Sequence, residues 1–415
     1  MTGHRDDAPG FIPPAALYIH VPICASKCSY CDFYSVPASS LSEGFEDELV
    51  GAILERASDL SERFDAGAFK TVYVGGGTPT ILSSGVFDSL LEGIGALIGN
   101  PGTREPREWT VEANPDSLGP ESIEIMRRRG VTRLSIGVQS LDPDELATLG
   151  RRHGPEAALG AVRLATEAGM AVSADLIAGI PSPREFPRTI GDAEKIAGFA
   201  AELLGAGARH LSVYDLTIEE GTALAMAKSR LRFPNEDEDW DSRRRLEGVL
   251  LDAGKRRYEV SNYASIGDEC RHNLAYWRMD SYIGAGPGAV STLARISGTS
   301  LRIEELREIV DYRRLSGEAG VETDIGLRDA VLETVMMAFR TSFGLDLAAF
   351  RRRFGINAES LIGDTLSTWK ERIVAGEPWP GMTESGGPAL DGEGLDFLNR
   401  FLRDCIEEID RKPCF

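Results

Sequence analysis

The sequence is poor in cysteine, short of positive charge and without a long apolar run, and each shortage excludes something. Six cysteines in 415 residues, three of them between positions 24 and 31, do not spread as a disulfide framework, which fits a reducing compartment. No apolar stretch is long enough to cross a bilayer, and the opening Met1-Thr2-Gly3-His4-Arg5-Asp6 has no apolar core of a secretory signal. The expectation is a soluble, cytoplasmic protein with no membrane span. Lys and Arg number 45 against 65 Asp and Glu, a formal net charge of −20. Such a surface repels phosphate backbones, so nucleic acid is not expected as a partner. The arginine triplets at 127–129, 243–245 and 351–353 fall in predicted helices and read as solvated faces. No internal repeat or low-complexity tract is present, and the length suits one large barrel plus an appended module.

What is there is concentrated at 17–33. A short apolar strand runs into Cys24, Cys28 and Cys31, a C-x3-C-x2-C run. Thiolates this close can wrap one metal centre from a single loop. Three sulfurs are one too few for a closed tetrahedral zinc site or a fully ligated cubane. A four-iron cluster held this way keeps one iron open, able to chelate the amino and carboxylate groups of S-adenosylmethionine (SAM). An electron from the cluster could then break a carbon–sulfur bond and make a 5′-deoxyadenosyl radical. The alternatives are a zinc site completed by Asp32 or His20, or three free thiols. With Tyr30 before the last cysteine, the run resembles that of the radical SAM superfamily.

From residue 17 the pattern alternates strand and helix, with strands expected at 17–21, 71–74, 109–113, 133–138, 172–177 and 211–216. Helical periodicity fills the gaps at 43–60, 85–98, 120–129, 143–149, 155–168 and 189–204. Six such units imply parallel strands with right-handed crossovers, an incomplete (β/α)6 TIM-like barrel whose functional groups collect at the C-terminal strand ends. One strand face is apolar. The other carries Tyr18 and His20, then Thr110, Glu112 and Asn114, then Arg133, Ser135 and Gln139, then Ser173 and Asp175, and so many polar groups in a lumen predict a polar ligand. His20, on the face of Tyr18, is placed to touch substrate or cluster as a catalytic group, or to make a structural hydrogen bond.

The strand at 71–74 runs into Gly75-Gly76-Gly77-Thr78, where glycines let backbone N–H groups approach a ligand. Glu112, Gln139, Arg151 and Asp175 supply acceptors for ribose hydroxyls and ammonium and a cation for a carboxylate, as SAM requires. The region from about 222 reads as irregular. A break near 317–323 precedes a smaller, mainly helical C-terminal domain, for which a winged-helix type is one expectation, with helices at 328–340, 347–354 and 395–406. The expected division is an arm at 1–16, a barrel at 17–221, an extension at 222–321 and the helical domain at 322–415.

Taken in order, residues 18–33, 75–80, 112–115, 135–140, 149–153, 175–181 and 219–222 resemble the oxygen-independent coproporphyrinogen III oxidase family, and within it most of all the haem-chaperone branch. The resemblance runs from residue 17 to the tail. It implies Cys24, Cys28 and Cys31 as ligands of a [4Fe-4S] cluster and Tyr18, Tyr30, Gly76, Gly77, Thr78, Glu112, Gln139, Arg151 and Asp175 as SAM contacts. The decarboxylating oxidases carry a further cysteine two positions after the third ligand, where this chain has Phe33. The chaperone branch carries H-N-x-x-Y-W, matched by His272-Asn273-Leu274-Ala275-Tyr276-Trp277. An imidazole can ligate haem iron and aromatic rings can pack on the porphyrin. His272, Tyr276 and Trp277 are therefore candidate haem contacts, His272 as iron ligand, with a satisfied buried histidine as the alternative. Implied partners are a haem-acceptor protein, such as a respiratory haem protein, and an electron donor. The competing activity is oxidative decarboxylation of coproporphyrinogen propionates.

Overall fold

Strand 16–21 pairs in parallel with strand 71–76, and four further strands extend the array in chain order. These are β1 (Ala16–Val21), β2 (Thr71–Gly76), β3 (Glu108–Ala113), β4 (Arg133–Gln139), β5 (Ala171–Ala178) and β6 (His210–Asp215). The computed structural model describes residues 10–67, 69–98, 108–185, 193–312, 320–380 and 386–412. Between the strands lie α1 (Phe45–Arg63), α2 (Ser84–Ile98), α3 (Pro120–Arg129), α4 (Pro143–Leu149), α5 (Pro155–Glu167) and α6 (Ala193–Gly205). Proline at the first helical position opens α3, α4 and α5, where its missing N–H costs nothing and its fixed φ already suits a helix. The first residues of the helix expected at 189–204 lie outside the described residues.

The register explains the two strand faces. Tyr18, Tyr73, Thr110 and Arg133 stand side by side across β1 to β4, and Glu112, Ser135, Ser173 and His210 form the next row across β3 to β6. The opposite face, including Leu17, Ile19, Val72, Val74, Val111, Leu134 and Ile136, packs under the helices in one continuous core. Each such fully buried branched side chain contributes roughly 1.5–3 kcal/mol, so the apolar face holds the sheet and the polar face is free to serve a ligand.

The sheet does not stop at six strands. Beyond β6 lie β7 (Arg256–Arg257) and β8 (Asn262–Ala264), and beyond β1 lie β9 (Tyr282–Ala285), β10 (Val290–Ala294), β11 (Ser300–Glu305) and β12 (Gly320–Ile325). The order is β7-β8-β6-β5-β4-β3-β2-β1-β9-β10-β11-β12, an arc rather than a closed barrel. Strand β9 is parallel to β1, a seventh parallel strand, whereas β10 to β12 and β7 to β8 are antiparallel additions. The region at 222–321 is therefore sheet as well as loop. The seam expected at 322 runs through β12, whose every residue pairs with β11, and the sheet ends at Ile325.

Helices α7 (Ala223–Ala227), α8 (Glu236–Asp252), α9 (Arg271–Trp277) and α10 (Ile309–Tyr312) accompany the added strands. The C-terminal part has α11 (Leu327–Ala338), α12 (Leu347–Phe354) and α13 (Glu359–Thr368), an antiparallel ribbon of Ile373–Ala375 with Pro388–Leu390, then α14 (Gly392–Asp396) and α15 (Leu398–Asp410). Three helices followed by a ribbon is the order of a winged helix. These elements share a separate core around Phe339, Phe350 and Phe401. Two arginine triplets behave as solvated faces: Arg128 and Arg129 pair with Asp88, Arg243 with Asp215 and Arg245 with Glu194. Arg353 departs from that pattern, donating to the Met279 carbonyl and the Ser300 hydroxyl. Among the described residues no helix is long and apolar enough to cross a membrane.

Candidate functional site

The cysteine loop leaves the C-terminal end of β1 and is tied down by its backbone. Ser29 N–H donates to the Leu149 carbonyl, the Ser29 hydroxyl to the Thr148 carbonyl, and Leu224 N–H to the Ser29 carbonyl. Cys24, Cys28 and Cys31 line one cavity of about 410 Å³ together with Tyr30, Gly76, Gly77, Thr78, Glu112, Gln139, Arg151 and Asp175. Eight of the nine positions expected to meet SAM thus share the cavity of the cysteines. The ninth, Tyr18, lies beneath it, with its hydroxyl on His20 Nδ1 at 2.9 Å. No three His, Cys, Asp or Glu groups among the described residues converge on one point. Three thiols lining one cavity are one ligand short of a closed zinc site and suit a cluster that keeps one iron open.

A hydrogen-bonded chain joins two of the thiols. Arg151 donates to Cys28 Sγ at 3.4 Å, to Asn114 Oδ1 at 2.5 Å and to the Gly137 carbonyl at 2.6 Å. Asn114 Nδ2 donates to Thr78 Oγ1 at 2.8 Å, and that hydroxyl donates to Cys24 Sγ at 3.8 Å. Burial pushes the Cys24 and Cys31 thiols up, while the Thr78 contact pulls Cys24 back down. Donors to sulfur stabilise a ligating thiolate.

The glycine run is shaped by its neighbours. A Cβ on Gly76, whose φ is +94°, would lie 2.3 Å from the His20 ring, and one on Gly77 would lie 2.5 Å from the Val21 and Ile23 carbonyl oxygens. Close approach therefore requires glycine there. Gly76 N–H donates to Glu112 Oε2 at 3.0 Å, and Tyr73 donates its hydroxyl to Glu112 Oε1 at 2.8 Å. Burial raises Glu112 to about 7, and the nearby Asp175 charge adds to it. Asp175 is also raised by burial, against hydroxyl bonds from Ser135 and its neighbours. Two carboxyls in one dry wall suit a cationic ligand that would let both ionise. Gln139 sits at a β-bulge with φ +66°, a device that re-aims a side chain at a strand end.

His20 is wedged below Gly76. Its Nε2 donates to the Tyr34 carbonyl at 3.0 Å, so its Nδ1 accepts from Tyr18. Burial lowers its pKa. Both nitrogens are engaged, which leaves the structural reading of His20 and no free nitrogen for catalysis.

The His272 motif lies at the other end of the strands. Thr71, the first residue of β2, bonds His272 Nδ1 at 3.0 Å, and the Tyr276 hydroxyl bonds Nε2 at 2.8 Å. Glu108, the first residue of β3, accepts from the N–H groups of Arg271 and His272. His272 is 1% exposed, and burial takes it to about 3. It is the satisfied buried histidine rather than an open iron ligand. Its ring packs against Tyr73 and Tyr276 at 5.2 and 4.9 Å. Trp277 faces elsewhere, lining a second cavity under the sheet. The β1 span puts about 20 Å between the two ends.

Sequence reasoning passed over Tyr73, which touches both Glu112 and His272, and Asn114, the link between Arg151 and Thr78. Asn114 had a signal in its place on the polar strand face. Tyr73 had none, because one aromatic in an apolar run reads as core.

Residues 18–193 match the family model for the radical SAM superfamily, and residues 325–372 that for the HemN C-terminal domain. The chain is 35% identical to the heme chaperone HemW of Escherichia coli, over 79% of this chain and 83% of that one. It is 33% identical to heme chaperone HemW of Mycobacterium tuberculosis, over 89% and 93%. A solved structure of coproporphyrinogen III oxidase (HemN) from Escherichia coli superposes with a TM-score of 0.72 at 18% identity, covering 96% of this chain and 90% of that one, a likeness of fold. Superfamily membership implies a [4Fe-4S] cluster and SAM, and the three-thiol cavity fits both. On sequence, fold and site, the chain belongs to the heme chaperone HemW family of the radical SAM superfamily.

Proposed function

We propose that this protein is a cytoplasmic haem chaperone: it binds haem and passes it to an acceptor haem protein. Its scaffold would hold a [4Fe-4S] cluster on Cys24, Cys28 and Cys31, with SAM on the open iron against Glu112, Gln139, Arg151, Asp175 and the glycine run. When bound, the cluster supplies an electron to SAM; an electron donor is then a second partner. The Arg151–Asn114–Thr78 chain would keep two thiolates aimed, and Glu112 would offer acceptors to the SAM ammonium.

One observation carries the choice between chaperone and oxidase. Phe33, 65% exposed at the cavity mouth, stands where the resemblance places a further cysteine in the decarboxylating enzymes, and no fourth cysteine lines that cavity among its described residues. The curated relatives named heme chaperones support the same reading. His272 can serve as iron ligand only if its bond to Tyr276 opens.

The test is anaerobic reconstitution with iron and sulfide, a haem titration followed at the Soret band, and transfer to an apo acceptor haem protein. The expected result is a stable complex, haem transfer, and no protoporphyrinogen formed from coproporphyrinogen. Failure of the wild type to bind haem would overturn the proposal, and turnover of coproporphyrinogen would replace it with the oxidase reading.

A further inference from the structure

The second cavity lies between the N-terminal ends of the strands and the helical C-terminal part. It measures about 570 Å³, within the usual range for a site that encloses a small organic ligand. Trp277 forms part of one wall and Trp379 part of another, the latter 3% exposed and stacked on Phe343. Among the described residues both indole N–H groups are buried without an acceptor, and so is Arg353 Nε. These donors lie behind the cavity surface, where a buried donor without a partner costs stability.

The charge there runs against the rest of the molecule. Lys70 and Arg352 line the cavity and are exposed, and neither makes an ion pair among the described residues. Two free cations beside aromatic walls match a flat apolar ring bearing two carboxylates. One residue adds iron chemistry. Among the described lining residues Met279 alone has a sulfur or imidazole donor, and a thioether is a known axial ligand of haem iron. It occupies the left-handed region at φ +57°, just past the end of α9, where glycine is the unstrained choice. Strain of this kind persists where a side chain is needed.

We infer that this cavity, rather than the His272 ring, seats the haem: its walls take the porphyrin, Lys70 and Arg352 its carboxylates, and Met279 its iron. The inference rests on the haem-binding reading above and names its site. The His272 motif then acts as the floor that positions Trp277, Arg278 and Met279.

The cluster-loaded full chain is titrated with haem and with iron-free protoporphyrin, both followed by absorption. Ala349→Phe, which fills the cavity from α12, and the surface pair Lys70→Glu/Arg352→Glu should each weaken both ligands about tenfold or more, the cost of losing one good contact. Met279→Ala should shift the haem Soret band and weaken haem while leaving iron-free protoporphyrin unchanged. Haem binding unaltered in both the filling and the charge-reversal variants overturns the inference, as does haem lost only with His272→Ala. The charge reversal keeps the test decisive if Ala349→Phe fails to fold. A wild type that binds neither ligand refutes the chaperone proposal instead.

Discussion

The two ends of the strand layer are built from similar side chains and do opposite things with them. At the C-terminal end, burial raises Glu112 and Asp175, the Asp175 charge raises Glu112 further, three thiols face a shared cavity, and Arg151 bridges sulfur and backbone. That end is poised and incomplete without a ligand. At the N-terminal end, His272 has both nitrogens bonded and Glu108 caps α9. The His272 cluster itself is closed and complete in the protein alone, beside the second cavity. Tyr73 spans the two, its hydroxyl on Glu112 and its ring on His272. A polar residue in a lumen is thus no guide to function by itself; whether its bonds are already spent decides.

The sharpest separation comes from replacing Cys24, Cys28 and Cys31 with alanine. Iron and sulfide should fall to background after anaerobic reconstitution, while the far-ultraviolet spectrum is unchanged, because the floor owes nothing to the cluster. His272→Ala should do the reverse. It leaves a cavity and strips partners from Thr71 and Tyr276, so urea unfolding should show a loss of about 2–5 kcal/mol with cluster content retained. Its pH dependence has a definite sign. The folded value, about 3, lies below the ordinary 6.5, so the neutral ring stabilises the fold above pH 6.5 and that contribution drains away as pH falls towards 3. The variant should lack that slope.

Glu112→Gln sharpens the contrast from the other side. Glu112 is raised to about 7 from 4.5, so its contribution is full below pH 4.5 and is lost as pH rises through 7. Without ligands, the glutamine variant should equal the wild type at pH 4 and exceed its stability at pH 8 by up to about 3 kcal/mol, at about 1.4 kcal/mol per pKa unit. Its SAM affinity, read by equilibrium dialysis of the reconstituted chain, should fall. The smallest effect is Thr71→Val, which removes one hydroxyl from His272 and should cost about 1 kcal/mol in the same urea assay, with no change in SAM binding.

The cysteine loop, the glycine turn and β1 to β6 were legible because each rests on local pattern: fixed spacing for the thiols, alternation and regular intervals for the strands. The added strands were not. β7 to β9 are two to four residues long, too short for a period to show, and their pairing partners lie far away in sequence. The strand crossing position 322 was not legible because β12 shows little apolar alternation: its exposed Glu322, Thr323 and Asp324 read as loop. His272 looked like a ligand because a motif records which residues occur together and not whether their nitrogens are already taken. Trp277 and Met279 acquire meaning only once the helical part closes a cavity over them, a juxtaposition of residues more than a hundred positions apart in the case of Trp379.

The central claim is that the cluster end and the haem-binding end are separate. The direct measurement compares the wild type with the triple cysteine-to-alanine variant, both reconstituted without oxygen and titrated with haem, reading the iron–sulfur spin-resonance signal and the Soret band on the same samples. The account predicts that the variant loses the cluster signal and keeps the haem complex. Loss of the haem complex together with the cluster, in a variant that remains folded, would contradict it.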